Sequence, residues 1–147
     1  MSTIRAILER KGSNFWFVDP EASVLDTVKR LHEKKIGALI VMDGDHLVGI
    51  FSERDFVRLM AVEGTACLAK PVGDVMTSQV FFVKPSTTVD DCMALMSEKG
   101  IRHVPVMDGK MVVGVVSIRD VVREVVADRE ITIKGLENYI VGTDFRT

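Results

Sequence analysis

Little in this chain could hold a metal or covalently staple a fold. Two cysteines (Cys67, Cys92) and three histidines (His32, His46, His103) are scattered through 147 residues. Their spacing fits neither a metal-ligand pattern nor a disulfide framework. The cysteines read as buried or half-buried free thiols in a reducing compartment. No stretch approaches the ~18 consecutive apolar residues of a membrane span. The N-terminal twelve residues, MSTIRAILERKG, lack the apolar run and small-residue cleavage site of a signal peptide. The expected compartment is therefore the cytoplasm, with no membrane partner. A formal net charge of −2 provides no basic excess, so nucleic acid is not an expected partner. There is no Gly-x-Ser-x-Gly elbow, no P-loop and no nucleophile beside a base. The expectation is a binding protein, not an enzyme, with no catalytic cofactor.

What the chain does contain is repetition. Met42–Asp55 reads MDGDHLVGIFSERD and Met107–Asp120 reads MDGKMVVGVVSIRD. Residue 107 falls on residue 42, an offset of 65 with no gap. Extended to Val18–Arg58 against Val83–Arg123, about 18 of 41 positions are identical. Each half has roughly 60–65 residues, a size at which an independent core is marginal. Two units sharing a core are expected rather than two separate beads.

Hydrophobic periodicity gives the elements of each unit. A short helix, capped by Ser2 or Thr3, runs to about Arg10, with Ile4, Ile7 and Leu8 as its apolar stripe and Gly12 as its stop. Ser13–Val18 is aromatic and suits a strand. Ala22–Lys35 has Val24, Leu25, Val28 and Leu31 at helical spacing, with Ser23 as cap. Ala38–Met42 and Leu47–Phe51 flank Asp43-Gly44 and read as an antiparallel pair. Ser52–Val62 returns to helix, with Phe56, Val57, Met60 and Ala61 inward. Glu63–Pro71 is the linker. The second unit then restarts with a helical turn at Val72–Met76 and a strand at Val80–Val83. A helix at Thr88–Lys99 follows, then strands at Val104–Met107 and Met111–Val116, and a helix at Ile118–Ala127. A further helix is expected over Ile131–Val141, from Ile133, Leu136 and Ile140. The fold class is α+β: two β-α-β-β-α units related by a pseudo-two-fold axis, with two three-stranded sheets packed face to face. The divisions are 8–66, 72–130, and a C-terminal helix and tail at 131–147.

The chemistry concentrates in Gly-x-x-Ser-x-Arg-Asp, at Gly49–Asp55 and Gly114–Asp120. A strand ends, a hydroxyl stands at its exit and a helix begins. One reading is a helix cap: Ser52 and Ser117 accept from backbone amides, and Asp55 and Asp120 sit in the first turn. The other is a ligand site. A helix N-terminus attracts phosphate, serine and arginine add donors, and a carboxylate accepts hydrogen bonds from vicinal ribose hydroxyls. A cap accounts for one copy; retention of all four residues in both copies is what points to a ligand.

In motif, repeat and element order the chain resembles a tandem pair of CBS (cystathionine-β-synthase-type) domains, the Bateman module, of the small stand-alone bacterial kind. The likeness runs from about Leu8 to Arg129. It implies an adenosine-containing ligand in the clefts between the units: AMP, ADP, ATP, NAD(H) or S-adenosylmethionine. It also implies a homodimer and, through a separate effector protein, a regulatory role; the alternative is a dimerisation or protein-interaction module with no physiological nucleotide ligand, its motifs serving only as caps. Carried over, Asp55 and Asp120 would hold ribose, and Ser52 and Ser117 phosphate or ribose, assisted by Arg54 and Arg119. The Asp55 site would be completed by Thr77, Val80, Phe82, Ile101, Arg102 and His103. The Asp120 site would be completed by Ser13, Phe15, Trp16, Ile36, Gly37 and Ala38. Because Arg102-His103 stands opposite Gly37-Ala38, the Asp55 cleft is expected to be the more cationic. His103 and both motif arginines could equally be solvated surface groups.

Overall fold

The computed structural model describes residues 2–128; the helix and tail expected over 131–147 lie outside them. Each repeat centres on a β-hairpin with a helix on either side in sequence. In the first, helix α1 (Ile4–Lys11) is followed by β1 (Phe17–Val18), α2 (Val24–Lys34), β2 (Ala38–Asp43), β3 (His46–Ser52) and α3 (Glu53–Glu63). A 3-10 helix (Gly64–Ala69) and a one-turn helix α4 (Val72–Val75) lead to the second repeat. That repeat comprises α5 (Val89–Lys99), β4 (His103–Asp108), β5 (Met111–Ser117) and α6 (Ile118–Asp128). The hairpins superimpose in sequence down to their irregularities: each has a register shift one position after the matched valine, Val41 or Val106.

Caps set the helix starts. Ser23 Oγ accepts from Asp26 N–H at 3.0 Å, and its counterpart Thr88 accepts from Asp91 N–H at 3.1 Å. The side chain of Thr3 makes no cap bond. Instead Ile4 and Arg5 donate to the carbonyls of Thr87 and Pro85, both at 2.9 Å, in the other repeat. The mirror-image contact exists as well: Val72 and Gly73 donate to Ala22 and Pro20 at 2.7 and 2.9 Å. Each leading helix is therefore capped by the opposite repeat and packs into its core. Ile4 and Ile7 lie with Val83, Val89 and Val121, and Val72 lies with Val24, Leu39 and Phe51. A third cluster of Ile40, Met42 and Val112 joins the inner faces of the two sheets. Neither repeat closes its core without the other, as the size of each half requires.

Three expectations are corrected. Residues 13–16 are not strand; β1 is only Phe17–Val18, parallel to β2. Residues 80–83 form a single bridge, Val83 to Val106, so the second sheet has two strands rather than three. Pro105 supplies the reason. Val83 donates to the Pro105 carbonyl at 3.0 Å and accepts from Met107 N–H at 2.8 Å. The next parallel rung, to residue 81, would need a Pro105 N–H, which proline lacks. Ile40 stands at that position in the first repeat. The linker 63–71 joins the repeats where it was expected, contains the 3-10 helix and buries Cys67 in the first core. Finally, the inner stripe of α3 is Phe56, Leu59 and Met60; Val57 and Ala61 face solvent.

Candidate functional site

Two cavities lie where the repeats meet. The first, about 450 Å³, is lined by Ser52, Arg54, Asp55, Thr77, Val80, Ile101, Arg102 and His103. Of the residues assigned to this cleft, only Phe82 is elsewhere: it is exposed, and Phe81 takes its place on the wall. The second, about 1190 Å³, is lined by Phe15, Trp16, Ile36, Gly37, Ala38, Ser117, Arg119 and Asp120. Ser13 does not line it; Asn14 does. Both substitutions have the same origin. The segments before β1 and before Val83 are not regular strands, so side-chain alternation does not fix which residue faces inward.

The motif builds the same device twice. Ser52 Oγ accepts from Asp55 N–H at 3.1 Å, and Asp55 Oδ2 accepts from Ser52 N–H at 3.0 Å. Ser117 Oγ accepts from Asp120 N–H at 3.3 Å, and Asp120 Oδ2 accepts from Ser117 N–H at 2.8 Å. These are reciprocal capping boxes with aspartate in place of the usual glutamate. The cap and ligand readings are thus not exclusive. Each carboxylate commits Oδ2 to its own helix, and Oδ1 has no hydrogen bond among the described residues. An ionised carboxylate held rigidly by one oxygen offers the other to a hydroxyl donor.

The motif glycines are explained by close approach. A Cβ at Gly49 would collide with Met76 and lie 2.9 Å from the Thr77 carbonyl oxygen. One at Gly114 would lie 2.7 Å from Leu8 Cδ2. The chain segments that line the clefts therefore press directly on the strands leading to Ser52 and Ser117.

Aromatic walls also recur. Lys34 Nζ sits 4.1 Å from the Trp16 ring centroid, and Lys99 Nζ 5.0 Å from that of Phe81. Residues 16 and 34 match residues 81 and 99 at the repeat offset. Arg30 adds a second cation over Trp16 at 5.7 Å. Each wall is thus a cation–aromatic pair.

The expected charge asymmetry between the clefts is not found. Arg54, Arg58, Lys99 and Arg102 line the Asp55 cavity against Glu53 and Asp55, four bases to two acids. Lys11, Lys35, Arg102, Arg119 and Arg123 line the other against Glu33, Glu53 and Asp120, five to three. The formal excess is two in both. Arg102, His103, Glu53, Gly37 and Ala38 line both cavities, forming a shared wall. Each strand opening faces both clefts rather than one, because the two-fold arrangement sets the openings back to back. Nor does His103 supply a cation at neutral pH. It is packed over Gly37, where a Cβ would lie 2.8 Å from its Cε1. Burial holds its imidazole below the ordinary histidine range, with Glu53 and Asp120 opposing and Lys11 and Arg102 assisting.

One residue escaped the sequence reading. Lys11 Nζ donates to Asp120 Oδ2 at 2.8 Å and to the Val115 carbonyl at 2.9 Å. Burial works to raise the Asp120 carboxyl, but the Lys11 and Ser117 hydrogen bonds outweigh it and hold it below its usual range. A lysine in the last turn of a helix ordinarily reads as a partner for the dipole. The signal that could have found it is the repeat itself, since Lys11 falls opposite an apolar residue, Met76.

Among the described residues no group of three or more histidine, cysteine or acidic side chains could hold a metal ion, and no helix is long and apolar enough to cross a membrane.

Comparison with known proteins agrees with this architecture. The family profile described as CBS domain matches twice, at residues 5–62 and 72–127. The CBS domain-containing protein CBSX3, mitochondrial, of Arabidopsis thaliana is 35% identical over 96% of this chain and 73% of its own length. A putative signal-transduction protein with CBS domains from Burkholderia ambifaria has a solved structure that superimposes with a TM-score of 0.83. It is 41% identical, over 90% of this chain and 99% of that one. The structure of CBSX2 in complex with AMP superimposes with a TM-score of 0.73 at 28% identity, over 88% of this chain and 99% of that one; CBSX2 is a chloroplastic Arabidopsis thaliana protein. With both repeats matched and the inter-repeat clefts in place, this chain belongs to the CBS domain family, as a tandem pair.

Proposed function

We propose that this protein is a regulatory module that binds an adenosine-containing ligand, AMP, ADP, ATP or NADH, in the clefts between its two repeats. The observation that carries the reading is the pair of motif aspartates. Each is fixed by its own helix cap and keeps one carboxylate oxygen uncommitted beside a helix N-terminus, a serine and arginines. That arrangement suits a ribose diol with phosphate running toward the helix end. Trp16 or Phe81 provides a flat apolar wall for the base. AMP in the structurally similar CBSX2 supports the class of ligand. Signalling would follow by population shift: a ligand that binds one relative arrangement of the repeats better enriches it, and a separate effector protein reads the change. Calorimetric titration with AMP, ADP, ATP, NADH and S-adenosylmethionine tests the reading. Saturable binding that weakens in Asp55→Asn or Asp120→Asn is expected; no heat from any of the five ligands would sink it.

A second reading concerns assembly. Val57 and Val122 match at the repeat offset, on α3 and α6, and are 65% and 47% exposed; Val62 on α3 is 84% exposed. We infer that these helices pair with a second copy of the chain, giving a homodimer. Sedimentation equilibrium checks it: a dimer that dissociates in Val57→Lys/Val122→Lys is expected, and a monomeric wild type refutes it.

A further inference from the structure

The clefts repeat each other through the caps and diverge at one place. In the first repeat Ile50 exchanges two main-chain hydrogen bonds with Thr77, both 3.0 Å. At the repeat offset Val115 matches Ile50, and Gly12 matches Thr77. The Gly12 N–H is engaged elsewhere, on the Leu8 carbonyl at the end of α1, at 2.8 Å. The Val115 carbonyl is taken by the Lys11 ammonium instead, at 2.9 Å, and the same ammonium reaches Asp120 Oδ2 at 2.8 Å. A lysine side chain thus occupies the place where the other repeat uses backbone. Met76, which matches Lys11, packs against Gly49 and carries no charge. Asp55 has no ion pair among the described residues.

This difference sits at the carboxylate that would hold the ribose. The ammonium has three donors. Two are engaged, and Lys11 lines the cavity with Asp120. Lys11 binds Oδ2, the oxygen already used by the cap, so Oδ1 stays available. The Lys11–Asp120 pair has no net charge, whereas Asp120 alone would present a bare anion to any phosphate in the cleft.

We propose that Lys11 is a charge-selectivity determinant of the Asp120 cleft, acting as counter-cation for an anionic ribonucleotide from a carboxylate-paired position that has no counterpart at Asp55 among the described residues. The proposal rests on the reading of the clefts as adenosine-ligand sites. For a phosphate placed about 6 Å from the ammonium, removing Lys11 takes away one unit of favourable charge. With an effective dielectric constant of about 40 at this half-open site, that lowers phosphate affinity about tenfold. A neutral nucleoside has no phosphate to repel and keeps the Oδ1 contact.

The chain's one tryptophan provides the assay. Trp16 lines the Asp120 cavity and not the other, so its fluorescence reports this cleft. AMP and adenosine are titrated into the full chain as wild type, Lys11→Met and Lys11→Gln, with circular dichroism melts run on each. Gln retains a hydrogen-bond donor without the charge and serves if Met perturbs the fold. The expected result is a roughly tenfold rise in the AMP dissociation constant in both variants, no rise for adenosine, and a shallower salt dependence for AMP. If the ratio of AMP to adenosine affinity is the same in the variants as in wild type, Lys11 does not select charge and the proposal is overturned while the adenosine reading stands. If the wild type binds neither ligand, by fluorescence or by calorimetry, the adenosine reading falls and this proposal falls with it.

Discussion

Substituting Asp55 by asparagine and by alanine separates two jobs that one side chain performs. The carboxylate Oδ2 accepts the Ser52 N–H at 3.0 Å and closes the cap of α3; Oδ1 is the oxygen assigned to the ribose. An asparagine can keep the cap, because its amide oxygen can accept the same N–H, but it puts an NH2 donor where Oδ1 was. The helix loses a negative charge in its first turn, about 0.3–1 kcal/mol. Alanine loses that charge and the cap acceptor as well, about 1–2 kcal/mol in total. The thermal midpoint of Asp55→Ala should therefore fall by roughly 4–8 °C, at about 4 °C per kcal/mol for a domain of this size, and that of Asp55→Asn by about half as much or less. Ligand binding should follow the other oxygen. The diol loses at least one charge-assisted hydrogen bond in either variant, about 1.5–3 kcal/mol, so AMP affinity should fall ten- to hundredfold even in well-folded Asp55→Asn. Differential scanning fluorimetry and calorimetry measure the two effects on the same samples. If Asp55→Asn binds AMP as tightly as wild type while Asp55→Ala does not, the alanine loss comes from a frayed helix, and Oδ1 is not a ligand contact.

Three further outcomes follow from the packing and the titrating groups. Gly49→Ala should destabilise by about 1–3 kcal/mol in urea denaturation, and Gly114→Ala by less. The first meets a backbone carbonyl at 2.9 Å, while the second meets the movable end of the Leu8 side chain at 2.7 Å; equal losses would contradict this. Burial lowers the His103 imidazole in the folded state, so below pH 6.5 the unfolded chain binds more protons there. Unfolding free energy should then fall as pH drops from 6.5 through the folded value, and His103→Gln should flatten that slope; a slope that survives the substitution assigns it elsewhere. Burial pushes the Cys92 thiol up to about 11, so it should resist a thiol-specific disulfide reagent at pH 8 in the native protein and react at once in guanidinium; rapid native labelling at Cys92 would show that the core opens there.

The features legible from sequence are the local ones. A helix cap closes over three residues, so the capping boxes Ser52–Asp55 and Ser117–Asp120 and the simple caps Ser23–Asp26 and Thr88–Asp91 all declare themselves in the chain. Hairpins at Asp43-Gly44 and Asp108-Gly109 are equally local, and the gapless offset reveals that the unit occurs twice. Those three facts place the hairpin and the flanking helices of each repeat and single out the aspartates of both clefts. Tertiary structure decided what crosses between the repeats. Pro105 cancels a rung of the second sheet only because residue 81 would lie beside it. Phe81 and Asn14 face the clefts where Phe82 and Ser13 were expected, since irregular backbone does not keep the two-residue alternation of a strand. Arg102 and His103 serve both cavities because the two-fold arrangement sets the strand openings back to back. Lys11 meets Asp120 across 109 residues, on a helix capped by the other repeat. Hydrogen bonds between near neighbours are set by residue type and spacing; the identity of a distant neighbour is set by which apolar faces must be buried together, and in this protein that is what makes two copies of one motif line two different clefts.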